Sequence, residues 1–542
     1  MSDKKENGAY YTPGYLAEYI VNEIFSEYSF YKNKMKMLEP SSGDGIFIKS
    51  LLKSTLIPQD VTLQIDVVEK NKEELEKVKL HKLTRDNSEL NYFATDFLNY
   101  NSSGNKYDLI IGNPPYINKK LLSEEQIDSS ISIFSEHQLN PRGFNNIWMS
   151  FILKSMFMLE QNGTLCFVLP SELLQVNYSS ELRRYLFDNF SEIKIFLFNE
   201  LVFEKIQQDV IIFIASKKGV SKSVNYYEID DLSVIRNKVK LIPYSIVDYN
   251  SQKKWSNYLL SRSELKLIDT VANSFNKVSD YCTATAGIVT AANDYFIVNK
   301  QNQLKYNLSD ISFPILKKSS YLEKGINLTV DHITSLEKRG HPIYLLIFNK
   351  KNIHDYQGQL RKYLEVGLKK EIHLRYKSKN RFPWFKVPYL EAPEGIFFKR
   401  SHLYPKIIVN SANVLTTDNG YRITMKEGYR IHSLVFSFYN SFTLLMSELE
   451  GRYYGGGVLE LTPNEFKRLP LPYCEIGEEE FTHLDNLFKE GRSIEEILDY
   501  TDNIILMQHY GVGNDELIYI RNLRNKLMRR RLKEINHVLQ AL

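Results

Sequence analysis

The run Val210-Ile211-Ile212-Phe213-Ile214-Ala215 holds six apolar residues with no polar interruption. It is too short to span a membrane and too uniformly apolar for a strand with one wet face. It fits a strand covered on both sides, which requires helices on both faces of a sheet. The preceding sequence supplies them. An amphipathic segment from Tyr15 to Phe25 leads to a short strand, Lys36-Met37-Leu38, then a Gly-containing turn and a helix from Ile46 to Lys53. A strand at Val61–Val68, a charged helix at Lys70–Leu80, a strand at Tyr92–Ala94 and another at Tyr107–Ile111 follow. Helices at Asn146–Leu159 and Ser179–Phe187 alternate with strands at Thr164–Leu169, Ile193–Phe198 and Val210–Ala215. This alternation predicts an α/β domain with a mostly parallel, doubly wound sheet over residues 1–250.

At 542 residues the chain is long enough for two or three domains. After about residue 250 periodicity weakens, aromatic and basic residues interleave, and Gly, Pro and Asn become frequent. Asp280–Phe296 and Arg375–Pro388 read as strands and loops. Leu469-Pro470-Leu471-Pro472 reads as a domain exit. The expected division is therefore 1–250, a mixed α/β domain over 251–475, and a C-terminal helical segment over 476–542. Ile117–Asn145 is polar and weakly periodic, and reads as a mobile loop beside a site.

Apolar residues make up 43% of the chain, with 36 Tyr and 30 Phe, which excludes a disordered or fibrous polymer. The three cysteines, Cys166, Cys282 and Cys474, are far apart. They form neither a disulfide framework nor a Cys-rich zinc site, so no metal is expected and a reducing cytoplasm is. Met1-Ser2-Asp3-Lys4-Lys5-Glu6 has no apolar run behind it, so no signal peptide is expected. No apolar stretch approaches the ~20 residues of a membrane span. Net charge is only +4, but residues 361–410 hold twelve Lys/Arg against four Asp/Glu, and 521–533 hold seven Lys/Arg and no acid. Clustered basic charge marks either a nucleic-acid face or a solvated surface.

Two constellations carry chemistry. The first is Leu38-Glu39-Pro40-Ser41-Ser42-Gly43-Asp44-Gly45, between a strand and a helix. Its small residues allow a tight turn and close approach of backbone to a ligand. It is not the spaced G-x-G-x-x-G of dinucleotide folds. The Glu39 carboxylate can pair with a cationic aminoacyl group. Glu69 stands at the next strand end, where a ribose diol is held in such folds. Asp96 and Phe97 stand at a third, offering an acceptor for an exocyclic amine and a ring to lie on a base. Each alone is weak, and the succession is strong.

The second constellation is Asp108-Leu109-Ile110-Ile111-Gly112-Asn113-Pro114-Pro115-Tyr116. The Asn113 side-chain oxygen and the Pro114 carbonyl can both accept from one NH2 group, and the two prolines stiffen the pair. Two acceptors raise electron density on an aryl amine and aim its lone pair, so positioning and electrostatics replace a strong base. Tyr116 offers a stacking face for a base extruded from a duplex.

On these motifs and their order the chain resembles the γ-class adenine-N6 DNA methyltransferases of type II restriction–modification systems. The resemblance implies a Rossmann-like S-adenosylmethionine-dependent domain, a target-recognition domain and a C-terminal helical segment. A Tyr-Thr-Pro segment precedes the cofactor turn in that family, and Tyr11-Thr12-Pro13 stands there. Thr12, Glu39, Ser41, Gly43, Glu69, Asp96 and Phe97 are then expected around S-adenosylmethionine. Asn113, Pro114 and Tyr116 are expected on the adenine, and Phe203 is expected to sandwich the flipped base. Gly287–Phe296 and Gly455–Pro463 resemble parts of target-recognition domains. Between them lie Arg375, Lys377, Arg381, Trp384, Lys399 and Arg400, the expected DNA contacts. The family's small-Gly pair after Thr290 is Ala291-Ala292 here, which puts the local turn geometry in question. Double-stranded DNA and a separately encoded cognate endonuclease are the implied partners, in a bacterial or phage-encoded cytoplasmic system.

Glutamine methyltransferases of release factors share Asn-Pro-Pro-Tyr but are about half this length and lack a basic second half. Cytosine-C5 chemistry needs a Pro-Cys nucleophile, and the cysteines here follow Leu165, Tyr281 and Tyr473. N4-cytosine methylation shares the amine logic but more often uses Ser-Pro-Pro. A non-catalytic DNA-recognition subunit would not need an intact Asn113–Tyr116 motif. Glu192-Ile193-Lys194 lacks the upstream Pro-Asp of a nuclease.

Overall fold

The computed structural model describes residues 11–532, apart from 27–31, 81–84, 200–201, 203–208, 219–221, 230, 237–240, 247–253, 256–259, 323 and 455. Phe203 therefore lies outside the described residues. The chain forms two compact units, one of residues up to Ser261 with Tyr454–Gly456, the other of Arg262–Tyr453 and Gly457–Leu532.

Nine strands form the sheet of the first unit: β1 (Lys34–Glu39), β2 (Thr62–Val68), β3 (Ser88–Phe93), β4 (Tyr107–Gly112), β5 (Leu159–Pro170), β6 (Glu192–Phe198), β7 (Val210–Ser216), β8 (Ser223–Ile229) and β9 (Tyr244–Ile246). Their order is β3-β2-β1-β4-β5-β7-β6-β8-β9. The strands β3 to β5 of this series are parallel, and β7 runs antiparallel between β5 and β6. The all-apolar run thus sits inside the sheet, with Val210–Ala215 all buried. The α/β fold is the expected one. The reversal at β7 was not, because a run buried on both faces carries no sign of strand direction.

The major helices of this unit are α1 (Gly14–Ser26), α2 (Ile46–Lys53), α3 (Lys72–Lys79), α4 (Glu124–Glu136), α5 (Ile147–Met158) and α6 (Ser180–Asn189). One core packs α1, α2 and α3 with Leu109, Ile111, Cys166, Val168 and Ile212, while the equally buried Ile110, Leu165 and Phe167 alternate to the other face. The Asn71 side chain caps α3 by accepting from the N–H groups of Glu73 and Glu74. The segment read as a mobile loop, Ile117–Asn145, instead contains α4. Ser123 and Gln126 form a capping box, and Ile133 and Phe134 are buried. The Ser-x-x-Gln spacing of that box and a short apolar stripe of Ile127, Ile131, Ile133 and Phe134 were its signals in sequence.

Neighbouring strands are clasped by a buried polar cluster. Asp66 on β2 accepts from Tyr107 Oη on β4 at 2.6 Å, from Tyr100 Oη at 3.0 Å and from Asn91 Nδ2 at 2.8 Å. Burial pushes the Tyr107 hydroxyl far up from its ordinary value, so it stays a donor. Since β1 lies between β2 and β4, the clasp spans the central strand.

In the second unit, Cys282–Ala286, Gly420–Met425, Gly395–Phe398 and Ile407–Val409 form an antiparallel sheet in that order. Gly287 follows its first strand; a Cβ there would lie 2.2 Å from the Thr417 carbonyl oxygen, so only glycine fits. Ala291 adopts φ 70°, the left-handed region that glycine enters without strain. With a Cβ in place that conformation carries a local cost of about 1–2 kcal/mol. Helix Asn514–Leu532 packs on helix Ser441–Glu450 in the same unit, where the buried Arg531 makes a two-pronged pair with Glu448 at 2.7 and 2.8 Å.

Replacing Asp66 with Ala removes the shared acceptor of two buried tyrosine hydroxyls and of the exposed Asn91. The expected loss is about 2–3 kcal/mol of stability, read as a lower urea midpoint at unchanged slope.

Candidate active site

The order reverses at β1, whose neighbours β2 and β4 lie on opposite sides, and ligands bind outside the carboxyl ends of strands at such a point. Three chain segments meet there. The turn after β1 takes positive φ at Gly43 (52°) and Gly45 (76°), and Gly45 leads directly into α2. Glu69, just beyond β2, holds that turn: its Oε2 accepts from Gly43 N at 2.9 Å and its Oε1 from Asn71 N at 2.8 Å. Ser41 Oγ donates to the carbonyl of Asn113, beyond β4, at 3.2 Å.

Asn113 is held on two sides. Its Nδ2 donates to Thr12 Oγ1 at 3.2 Å, and its Oδ1 accepts from Tyr116 Oη at 2.8 Å. Tyr116 Oη also lies 3.0 Å from the Val168 carbonyl on β5, and Pro114 is buried between them in sequence. Thr12, Ser41, Gly43, Glu69, Asn113 and Tyr116 thus belong to one hydrogen-bonded and packed assembly, with Glu39 beneath the turn.

Glu39 is 1% exposed, and its Oε2 has no hydrogen-bond partner among the described residues; nor has the buried Ser42 Oγ. Burial first, then the carboxylates of Asp44 and Glu69, drive the Glu39 carboxyl well above its ordinary value, against a backbone hydrogen bond from Ile48 that favours the charge. An orphaned buried carboxyl with two acids close by is a site prepared for a cation. Such a donor set fits the cationic end of an aminoacyl cofactor.

Asp96 and Phe97 stand at the third strand end but are more occupied than the sequence implies. Asp96 caps a short turn through Leu98 N and accepts from Gln126 Nε2 on α4 at 2.8 Å and from Lys70 Nζ at 3.2 Å. Phe97 is 2% exposed and packs on Phe151 at 4.9 Å, with Lys154 Nζ 5.4 Å from its ring. In this structure Phe97 is a core side chain and presents no face to a ligand.

Matches to known proteins follow the same two halves. Residues 28–203 match the model described as the Eco57I restriction-modification methylase, and residues 252–506 match the C-terminal domain of the type II methyltransferase M.Eco57I. The type II methyltransferase M.AccI of Acinetobacter calcoaceticus is 25% identical over 532 residues, covering 93% of this chain and 94% of that one. The type II methyltransferase M.HincII of Haemophilus influenzae is 25% identical over 444 residues, covering 79% and 78%. The chain belongs to the type II restriction–modification methyltransferases. Among solved structures, the restriction-modification enzyme MmeI, determined in complex with DNA, shares the fold with a TM-score of 0.55 at 12% identity, covering 92% of this chain and 73% of that one.

Sequence reasoning missed two partners at this methyltransferase site. The Tyr11 ring lies over Gly43, 3.7 Å from where a Cβ would stand, and its hydroxyl pairs with Glu74. Burial and that carboxylate push the hydroxyl up to about 12. Its place beside Thr12 was the available signal. Gln126 on Asp96 had none, because α4 itself was not foreseen.

The expected DNA contacts divide sharply. Arg375 makes a two-pronged pair with Asp294 at 2.6 and 2.8 Å. Arg381 donates to the carbonyls of Thr290 and Val289 at 3.1 and 2.9 Å. Lys399 and Arg400 both pair with Glu460, at 3.3 and 2.5 Å. Trp384 packs among Tyr295, Phe296 and Phe385. Lys377 alone of the six is an exposed charge without such a bond among the described residues. The C-terminal basic run is also engaged within its unit: Arg521 with Asp499 and Asp502, Arg524 with Glu495, Lys526 with Glu264, and Arg531 with Glu448. These residues act first as braces, a role that charge counting does not reveal. Among the described residues no helix is long and apolar enough to cross a membrane, and no cluster of His, Cys, Asp and Glu could hold a metal ion.

Glu39 yields a signed pH prediction. With its folded value raised, the native protein holds an extra proton above the ordinary carboxyl value of 4.5, so stability falls as pH rises through that window. Glu39→Gln is therefore expected to raise the ligand-free melting temperature near neutral pH, with the gain vanishing below about pH 4.5. An unchanged melting curve across that range would mean Glu39 is not strained.

Proposed function

We propose that this methyltransferase transfers a methyl group from S-adenosylmethionine to the N6 amine of adenine in double-stranded DNA, with the base turned out of the helix. The observation that carries this reading is Asn113, a half-buried amide at a strand end, fixed by Thr12 and Tyr116 and followed by two prolines.

When bound, S-adenosylmethionine supplies an electrophilic methyl on a sulfonium centre. Glu39 would take the cationic end of the cofactor, the Gly43 turn its close-lying backbone contacts, and Glu69 its ribose. Asp96 would accept from its adenine amine, with the Lys70 and Gln126 bonds giving way. The net positive charge of the cofactor suits the three acids at the turn, Glu39, Asp44 and Glu69.

On the substrate side, the Asn113 oxygen and the Pro114 carbonyl accept the two protons of an exocyclic amine. Tyr116 currently donates to that Asn113 oxygen, but the Val168 carbonyl at 3.0 Å stands ready as its alternative acceptor. The hydroxyl can thus release Asn113 to a substrate without losing its own bond. Held by two acceptors, the amine presents its lone pair in one direction; once methylated, the nitrogen is cationic and acidic enough to shed its extra proton to water, so no general base with a tuned pKa is required. The Tyr116 ring gives a flat apolar face for an extruded base. Asn-Pro-Pro-Tyr, rather than Ser-Pro-Pro, favours adenine over the N4 position of cytosine. A cognate endonuclease on a separate chain and a cytoplasmic setting complete the reading.

Asn113→Ala should lower methyl transfer about a hundredfold or more while S-adenosylmethionine affinity, read by calorimetry, changes little. Tritium transfer into unmethylated DNA, followed by nucleoside analysis, tests the whole assignment. N6-methyladenine is the expected product, and N4-methylcytosine or an active Asn113→Ala enzyme would overturn it.

A further inference from the structure

The stretch 372–390 contains Arg375, Lys377, Lys379, Arg381 and Lys386 and no acid. Two of these cations anchor it. Arg375 grips Asp294, and Arg381 donates to the backbone at residues 289 and 290. Ser378 is buried, Asn380 Nδ2 donates to the Tyr376 carbonyl at 3.0 Å, and Arg381 N donates to the Ser378 carbonyl at 3.0 Å. On the far side, Trp384 and Phe385 join a cluster with Tyr295, Phe296, Phe348 and Tyr356. The backbone is therefore braced on both flanks of Phe382.

Phe382 itself is 93% exposed, with Tyr376 at 76% and Leu374 at 59%. Single exposed apolar residues need no explanation, but a braced, acid-free loop that holds an entire phenyl ring in water is a different arrangement. Phenylalanine has no hydrogen-bonding group, so it cannot read a base edge or bind a phosphate. It can only stack or fill an apolar gap. Lys377, Lys379 and Lys386 are exposed on the same stretch. A partner that presents flat apolar surfaces between two lines of negative charge matches both features, and duplex DNA has that form.

We propose that Phe382 is a wedge that enters the base stack of duplex DNA, with Lys377, Lys379 and Lys386 neutralising the phosphates beside it. The proposal rests on the DNA methyltransferase reading above. Apolar side chains inserted at a base step unstack it and bend the duplex, which lowers the work of extracting a nearby base. A wedge must not yield when pushed, and the bonds of Arg375 and Arg381 provide that resistance. Those two arginines thus serve DNA recognition through the loop they hold, even though their own guanidinium groups are engaged.

The test uses the full chain and a short duplex bearing its target, located by methylation-sensitive sequencing of plasmid DNA from cells expressing it. 2-Aminopurine is placed at successive positions of the duplex. With the wild type, one position outside the methylated base should brighten. Phe382→Ala should lose that signal and bind about tenfold more weakly or worse, with the log–log salt slope unchanged because no charge is lost. Phe382→Leu should keep part of the signal. Lys377→Ala with Lys379→Ala should instead flatten the slope by about one per lost contact. Cofactor affinity and melting temperature should not move, since the ring touches solvent. Phe382→Ala binding and 2-aminopurine patterns identical to wild type would overturn the wedge, as would weaker binding with a flattened slope. Absence of any methyl transfer to DNA by the wild type would instead strike the function itself, and the wedge would fall with it.

Discussion

The site depends on the hold that the end of β2 keeps on the turn after β1, where the Val68 carbonyl accepts from Ser42 N–H and the Glu69 carboxylate closes on the backbone N–H of Gly43. A turn with two residues of positive φ has no regular hydrogen-bond ladder to hold it, and these bonds tie it to the next strand end. Ser41 ties the same turn to Asn113 on the other side, and Thr12 closes the ring from the N-terminal segment. The groups suited to a cofactor and those suited to an amine therefore share one scaffold. Movement of the turn is movement of both, which keeps donor and acceptor in fixed relation.

The same economy explains the acid buried under the turn. Glu39 carries an oxygen without a partner, crowded by Asp44 and Glu69. A fold selected for stability alone would fill that place with a glutamine or an apolar residue. Its presence makes sense if a cation completes it, so that binding such a group would relieve an unfavourable interaction built into the fold.

Much of the first unit was legible in sequence because its signals are local. The helix at Ile46–Lys53 has the ends expected for it, and the Gly43 turn and the Asn-Pro-Pro-Tyr segment follow the strands foreseen for them. What stayed hidden depends on distant partners. Arg375 and Asp294 lie 81 positions apart, Arg531 and Glu448 83 apart, and Glu460 is 60 beyond Arg400. Sequence reading sees such arginines as free charge and assigns them to a polyanion. The structure shows them paired, and shifts attention to the three lysines left on the 372–390 loop. The burial of Phe97 was hidden for a related reason: an aromatic at a strand end looks the same whether its ring meets a ligand or Phe151. The helix Glu124–Glu136 was obscured by its polar surface and short apolar stripe.

The clasp of Asp66, Tyr100 and Tyr107 touches neither end of the proposed reaction, yet it indexes the site. Strand positions are about 3.3 Å apart, and a slip of one residue turns each side chain to the opposite face of the sheet. Slippage of β4 against β1 by a single position would carry Asn113 away from Thr12 and point its amide into the helical layer. Apolar contacts resist such a slip weakly, since one buried aliphatic side chain substitutes readily for the next. A carboxylate that accepts from two tyrosine hydroxyls has only one alignment that satisfies it. The buried polar trio is thus the gauge mark of the sheet, setting where its upper edge comes to rest.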